Sequence, residues 1–264
     1  MNFILVTGCN GGMGKAICKI LQTQGFGVIG IDKLQDKENT FCTQLQCDIT
    51  NKEAVKALYS QIHSLTSSLY GIVHTSGIYD MNSLIEIEES QLETIFQVNV
   101  FGVYRINKYL LPLLRKKSKI IIISSELAPL DPLPFTGLYG ITKTTLEKYA
   151  FSLQMELQLQ EITVCLIRPG AVKTSLLSVS TKALNNFVEN TKLYTCNATN
   201  FKKIVDSVET RNIKPEQIAK KVLRILSKKH PRFVYNINRN PLLRLLNILP
   251  KKLQFFLIKQ ILKP

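Results

Sequence analysis

Short apolar runs alternate with longer stretches of helical period along this chain. Runs at 3–7, 27–31, 44–47, 70–75, 119–124, 162–167 and 232–236 have the length of strands, and most are apolar throughout, as in Ile120-Ile121-Ile122-Ile123. Strands without polar alternation are covered on both faces. Between them, 12–24, 51–66, 89–116, 139–159 and 214–228 carry apolar positions at helical spacing. Asn51, after Thr50, is placed to cap its helix, and Pro215 suits a first turn. This βαβα order predicts an α/β chain with one parallel sheet and right-handed crossovers. The stretch 175–210 has no clear strand and only weak helical period. It reads as an excursion above the sheet, at the strand ends where open α/β sheets bind ligands.

The chain has 264 residues and 45% hydrophobic content, ample for a buried core. It has no internal repeat, low-complexity stretch or Gly/Ser linker, so one domain over 1–238 with an extension at 239–264 is expected. The six cysteines include no C-x-x-C pair and there are three histidines. That pattern argues against a metal site or a disulfide framework and for buried thiols in a reducing compartment. A first strand at Phe3 leaves no room for a leader, so a cytoplasmic location is expected. Asn197-Ala198-Thr199 fits a glycosylation acceptor but carries no weight without secretion. Charge is uneven. Residues 211–264 hold 14 of the 34 Lys/Arg and one acidic residue, Glu216, whereas 1–210 hold 20 Lys/Arg and 18 Asp/Glu.

The first candidate chemistry follows the first strand. Thr7-Gly8-Cys9-Asn10-Gly11-Gly12-Met13-Gly14 is a glycine-rich turn that opens a helix. Such a turn brings backbone N–H groups and a helix N-terminus close to a pyrophosphate. Asp32 ends the second strand 18 residues beyond Gly14. A carboxylate there accepts from an adenosine ribose and repels a 2′-phosphate, which favours NAD; Lys33 beside it leaves NADP open. Asp48 ends the third strand and suits either the adenine edge or a capping position before Thr50. Asn10 and Met13 in the turn, Ile49 beside Asp48, and Ser76 with Gly77 after the fourth strand are further candidate nucleotide contacts.

The second candidate chemistry is Tyr139-Gly140-Ile141-Thr142-Lys143, which sets phenol and ammonium one helical turn apart. A nearby cation favours a phenolate and lowers the usual Tyr pKa of about 10. Such a Tyr can exchange a proton with an alcohol or ketone. Most Y-x-x-x-K pairs are mere surface neighbours, but here Ser124-Ser125 end the Ile120–Ile123 run and offer a hydroxyl to orient a substrate oxygen.

Taken together, Thr7-Gly8-x-x-x-Gly12-x-Gly14, Asn99, Ser125, Tyr139-x-x-x-Lys143 and Arg168-Pro169-Gly170-x-Val172-x-Thr174 resemble the short-chain dehydrogenase/reductases, in order, over residues 3 to about 236. The resemblance implies a single-domain, doubly wound Rossmann-type sheet, a nicotinamide cofactor and an Asn-Ser-Tyr-Lys tetrad. Tyr139 would be the general acid/base. Lys143 would lower its pKa and hold the nicotinamide ribose. Ser125 would bond the reacting oxygen, and Asn99 would hold a helix kink and a water leading from Lys143 to solvent. Pro169 and Gly170 would lie near the nicotinamide, with Val172 and Thr174 at its carboxamide. Three departures stand out. His74-Thr75-Ser76-Gly77 replaces the family's Asn-Asn-Ala-Gly, so Gly77 is kept and two Asn contacts must be replaced. Ser125 lies 14 residues before Tyr139, one more than the commonest spacing, which leaves Ser124 in competition with Ser125. Gly11 stands where NADP-preferring relatives often carry a basic residue. His74 is read as a core or cofactor-wall residue rather than a base.

Leu176, Leu177, Val179, Leu184, Phe187, Val188, Leu193 and Tyr194 would make an apolar lid, or equally a patch of core. An apolar lid implies a hydrophobic substrate such as a steroid, retinoid or long-chain alcohol. The tail 239–264 is leucine-rich and basic, and is similar to the C-terminal extension of the family's retinol- and steroid-handling branch. It suits an anionic bilayer surface, a subunit interface or the pocket mouth; Pro250 and Lys251-Lys252 keep it from spanning a membrane. It is too apolar for a nucleic-acid arm. Relatives pair through helices matching 89–116 and 139–159, so a homodimer or tetramer is expected. The alternatives to a dehydrogenase are a nucleotide-binding sensor or membrane-docking module without turnover, and an epimerase or dehydratase on the same fold.

Overall fold

A computed structural model describes residues 1–209 and 212–263, without the side chains of 175–180, 208 and 209. Seven strands, β1 (Phe3–Thr7), β2 (Gly27–Asp32), β3 (Thr43–Gln46), β4 (Leu69–His74), β5 (Leu114–Ile123), β6 (Thr163–Pro169) and β7 (Val234–Ile237), form one sheet in the order β3-β2-β1-β4-β5-β6-β7. Every pairing is parallel, so all seven carboxyl ends lie along one edge. Strand order reverses direction at β1. That crevice, between the ends of β1 and β4, is where ligands bind in such sheets.

Both faces are covered, as the apolar runs require. On one face α1 (Gly12–Thr23) and α8 (Pro215–Ser227) pack Ile17, Leu21, Val222, Ile225 and Leu226 against Ile4, Val6, Val73 and Ile121. On the other, α2 (Lys52–Leu65), α4 (Val103–Leu110) and α5 (Gly137–Leu157) bury Leu58, Ile62, Ile106 and Leu146 against Leu5, Ile72, Ile120 and Ile122. Truncating any of these Leu or Ile side chains to Ala costs roughly 2–5 kcal/mol. Asn51 caps α2 by accepting from the amides of Glu53 and Ala54, and Pro215 sits in the first turn of α8.

The sequence pattern predicts one helix over 89–116; the chain instead breaks it. It runs as α3 (Glu89–Phe96), a π-helical turn (Gln97–Gly102), α4 and a short 3-10 turn (Leu111–Leu113). Pro112 has no N–H for a continuing helix, and β5 starts at Leu114. Register then shifts between the Leu69–Leu114 and Gly71–Lys119 pairs. Ser118 closes this bulge: its hydroxyl donates to the Leu69 carbonyl and accepts from the Arg115 amide.

The 175–210 excursion is two helices, α6 (Ser175–Asn190) and α7 (Thr195–Glu209). Leu184, Phe187 and Phe201 form a small core with Met81 and Phe135, while the side chains of Leu176, Leu177 and Val179 lie outside the described residues. The corner between α6 and α7 is held by Glu86, which accepts from Thr191 Oγ1 (2.6 Å) and from the amides of Lys192 (2.8 Å) and Leu193 (3.0 Å). The tail forms α9 (Pro241–Ile248) and α10 (Lys251–Leu262). No helix among the described residues is long and apolar enough to cross a membrane.

Candidate active site

The glycine turn between β1 and α1 is close-packed. Gly8 has φ +69°, and a Cβ there would lie 2.7 Å from the Ser76 amide nitrogen. A Cβ on Gly14 would meet the Gly8 carbonyl oxygen at 2.0 Å, so α1 can start this near the strand end only with glycine. No side chain caps α1 at Gly11. Its first amides are left to donate to an anion, as a nucleotide pyrophosphate requires. The Thr75 hydroxyl donates to the carbonyls of Thr7 (2.6 Å) and Gly8 (3.2 Å), tying β4 to the turn. Ser76 donates its amide to Thr7 Oγ1.

Asn10 serves the turn itself. Its side-chain amide donates to Leu34 O and Gln44 Oε1, and its oxygen accepts from Asn39. Asp32 faces the same turn: Oδ2 accepts from the Asn10 amide (3.0 Å) and Oδ1 from the Lys33 amide (2.8 Å). Carboxylate oxygens keep further lone pairs, so a ribose hydroxyl can still be received. Burial is the largest single influence on Asp48 and pushes its carboxyl up, but the Thr50 amide and hydroxyl that it accepts from, together with Lys33 Nζ at 3.0 Å, outweigh it and hold the carboxyl below its ordinary range. The capping role at this corner belongs to Asn51. Ile49 is buried in the core beside Cys47 and Leu58. His74 is buried too, with Nε2 2.8 Å from Asn107 Oδ1, and burial holds its pKa down to about 4.

Asn99 sits in the π-helical turn, fully buried. Its amide group donates to the Ile78 carbonyl and to Thr142 Oγ1, and its oxygen accepts from the Ile78 amide. The turn therefore locks the loop after Gly77 to α5, the helix that carries Tyr139 and Lys143. Lys143 Nζ lies 5.6 Å from the Tyr139 ring centre and donates to the Ile123 carbonyl. Gly77 lies against the ammonium: a Cβ there would stand 3.5 Å from Nζ and 3.3 Å from Asn99 Oδ1. Ser124 and Ser125 take opposite directions. Ser124 donates to Glu147, which also forms a bidentate pair with Arg168, so its hydroxyl is spent in the interior. Ser125 is the hydroxyl within hydrogen-bonding reach of the Tyr139 phenol.

The expected acidic phenol is not what the surroundings give. Burial pushes the Tyr139 pKa above its ordinary value, and only the Ser125 hydroxyl acts the other way. Lys143 is drawn down to about 8, chiefly by burial and against the pull of Glu147. Desolvation outweighs the effect of the cation that the spacing alone suggests.

These groups share a pocket whose remaining wall is largely apolar. Met13, Gly77, Ser125, Tyr139, Lys143, Pro169, Gly170, Val172 and Thr174, all read as site residues from the sequence, line it. The lid residues differ from those expected. Phe201, Ile204 and Val205 of α7 line the pocket, whereas Leu184 and Phe187 pack inward. Tyr79 escapes the sequence reading: its ring lies 4.3 Å from that of Tyr139, and a lone Tyr in a loop has no periodicity to mark it. Glu126 is a second omission. It lines the pocket next to Ser125 and accepts from the Asn240 amide (2.6 Å), and burial raises its pKa.

A family model described as short chain dehydrogenase matches residues 2–185. A 3-ketodihydrosphingosine reductase of Bacteroides thetaiotaomicron is 27% identical over 232 residues, covering 87% of this chain and 85% of that one. A probable short-chain type dehydrogenase/reductase of Helicobacter pylori, VdlC, is 26% identical over 255 residues, covering 93% and 92%. The solved structure of ligand-free aldohexose dehydrogenase from Thermoplasma acidophilum matches with a TM-score of 0.75 at 22% identity, over 91% of this chain and 95% of that chain, and shares its fold. The chain belongs to the short-chain dehydrogenase family: it is an oxidoreductase with a Rossmann-type sheet and NAD(P) as its class of cofactor.

Proposed function

We propose that this oxidoreductase interconverts a secondary alcohol and a ketone, or an alcohol and an aldehyde, on a hydrophobic substrate such as a steroid, retinoid or long-chain alcohol, with NAD preferred over NADP. The observation that carries this reading is the convergence of Ser125, Tyr139 and Lys143 on one pocket otherwise walled by Leu127, Leu133, Phe201 and Val205. The Bacteroides relative is named for reducing 3-ketodihydrosphingosine, which agrees with an apolar wall.

When bound, the nicotinamide supplies or accepts the hydride. The uncapped amides of Gly12, Met13 and Gly14 would donate to the pyrophosphate across the turn made at Gly8, whose own amide is held by the Ile31 carbonyl; Asp32 would receive the adenosine ribose, and Asp48 with Ile49 the adenine side. Ser76, Gly77, Pro169, Gly170, Val172 and Thr174 would flank the nicotinamide half. Ser125 donates to the substrate oxygen and fixes its direction. Tyr139 gives a proton to that oxygen in reduction and takes it back in oxidation. Lys143, still mostly protonated at neutral pH with its pKa near 8, binds the nicotinamide ribose and favours the phenolate as it forms. Asn99 holds the π-helical turn beside Lys143, where a water can pass the proton outward. The outward faces of α4 and α5 carry Tyr104, Ile141, Phe151 and Met155, a surface suited to a second copy of the chain.

The test is Tyr139→Phe, assayed on steroids, retinoids and aliphatic alcohols with NAD and NADP in parallel. Turnover should fall by about 10²–10⁴-fold, the usual contribution of a general acid/base, with nucleotide affinity little changed. Retained turnover would remove Tyr139 from the mechanism. A lower KM for NADP than for NAD would reverse the cofactor preference.

A further inference from the structure

The tail helices have two faces with different fates. The inner face is docked. Leu243 of α9 lines the pocket, and Ile258 and Leu262 of α10 pack with Phe201 of α7. Polar contacts fix the same arrangement: Asn247 donates to Asp131 (2.7 Å), and Asn197 and Asn200 donate to the carbonyls of Leu262 (2.6 Å) and Lys263 (2.8 Å). The outer face is apolar nonetheless. Leu242, Leu245, Ile248, Phe255, Phe256 and Ile261 are each more than half exposed. Anchored helices that keep such residues in water carry an unpartnered surface.

Charge identifies the partner. Arg244, Lys252, Lys259 and Lys263 are exposed among these apolar residues, and 239–264 contains no Asp or Glu. A second copy meeting this face by two-fold symmetry would bring cations against cations. Nucleic acid would use the cations and leave the Leu and Phe side chains in water. A bilayer with anionic lipid satisfies both: acyl chains receive the apolar side chains and headgroups receive the cations. Helices of 8 and 12 residues can lie in that interface and cannot cross it.

We propose that the outer face of α9 and α10 docks the protein on an anionic lipid bilayer. The helix that walls the pocket with Leu243 then lies at the leaflet, so an apolar substrate reaches the pocket from lipid rather than from water; this last step rests on the hydrophobic-substrate reading above.

Full-length protein is mixed with sucrose-loaded vesicles of phosphatidylcholine alone, or with about 30% phosphatidylserine, and sedimented. Sedimentation is expected with the anionic vesicles, with binding at least about tenfold weaker on phosphatidylcholine. The double variants Leu245→Ser/Phe255→Ser and Lys252→Glu/Lys259→Glu should each weaken it about tenfold or more. These side chains are exposed, and an unchanged thermal melt keeps the comparison valid. Failure of wild type to sediment with anionic vesicles, or equal sedimentation of both variants, would overturn the proposal. So would a larger assembly in light scattering that the Leu245→Ser/Phe255→Ser variant dissolves. Turnover of the steroid, retinoid and aliphatic-alcohol panel without vesicles reads the catalytic assignment separately: its absence alongside vesicle binding removes the catalytic reading and leaves the docking face standing.

Discussion

At Tyr139 and Lys143 the consequences of burial outrun those of spacing. Both sit on α5 with little exposure, so each charged form is opposed by desolvation, and proton movement depends on what fills the pocket beside them. His74 gives the same physics a simpler readout. Its pKa falls from 6.5 to about 4 on folding. The unfolded chain therefore binds more protons between these values. His74 leaves stability untouched above pH 6.5, and stability is lost as pH falls towards 4, by about 3 kcal/mol in all. In urea titrations, His74→Gln should flatten the stability slope across that window, whatever its effect at neutral pH. The fate of His74 as a core residue is legible in the chain, since it ends an apolar strand. The choice between Ser124 and Ser125 is not. It is made by Glu147, 23 residues further along the chain, which accepts the Ser124 hydroxyl and is itself held by Arg168. Tyr79 and Glu126 stand in loops, where no period distinguishes a pocket wall from a solvated turn.

Among the elements, those whose pattern is local come through from sequence. The strand cores are apolar on both faces, and the glycine turn has one residue type at fixed spacing, so both are visible. The turn also gives a sharp test. Gly14→Ala puts a methyl group 2.0 Å from the Gly8 carbonyl oxygen, where only a backbone shift can relieve it. Nucleotide affinity by fluorescence titration should drop at least about tenfold, and the melting temperature should fall by several degrees, about 2–4 °C per kcal/mol for a chain of this size. An unchanged affinity would show that the turn does not hold the pyrophosphate. The 89–116 segment shows where local pattern fails. Leu110, Leu111, Leu113 and Leu114 prolong a helical period past the point where Pro112 ends the helix. The π-helical turn at 97–102 inserts one extra residue per turn for a reason that lies outside the segment, namely the bonds from Asn99 to Ile78 and Thr142. Likewise α6 and α7 are weakly periodic because they cover a small satellite core rather than the sheet.

Over the whole molecule, the catalytic half of the pocket rests on the sheet edge, and the other half is borrowed from helices that reach it late in the chain. α7 and α9 supply Phe201, Ile204, Val205 and Leu243, while β5, β6 and α5 supply Ser125, Pro169 and Tyr139. The two halves meet at the far corner through the Glu86 carboxylate and its three donors. Glu86→Ala should free that corner, and limited proteolysis should then cut near 191–194 several-fold faster while the sheet stays resistant. Equal cleavage of both proteins would mean that the small aromatic core holds the corner unaided. The Thr191 hydroxyl is the largest of the influences that hold the Glu86 carboxyl below its ordinary range. The bond therefore persists in mild acid and gives way only once that side chain takes up a proton, so the roof over the pocket has a clasp that strong acid undoes.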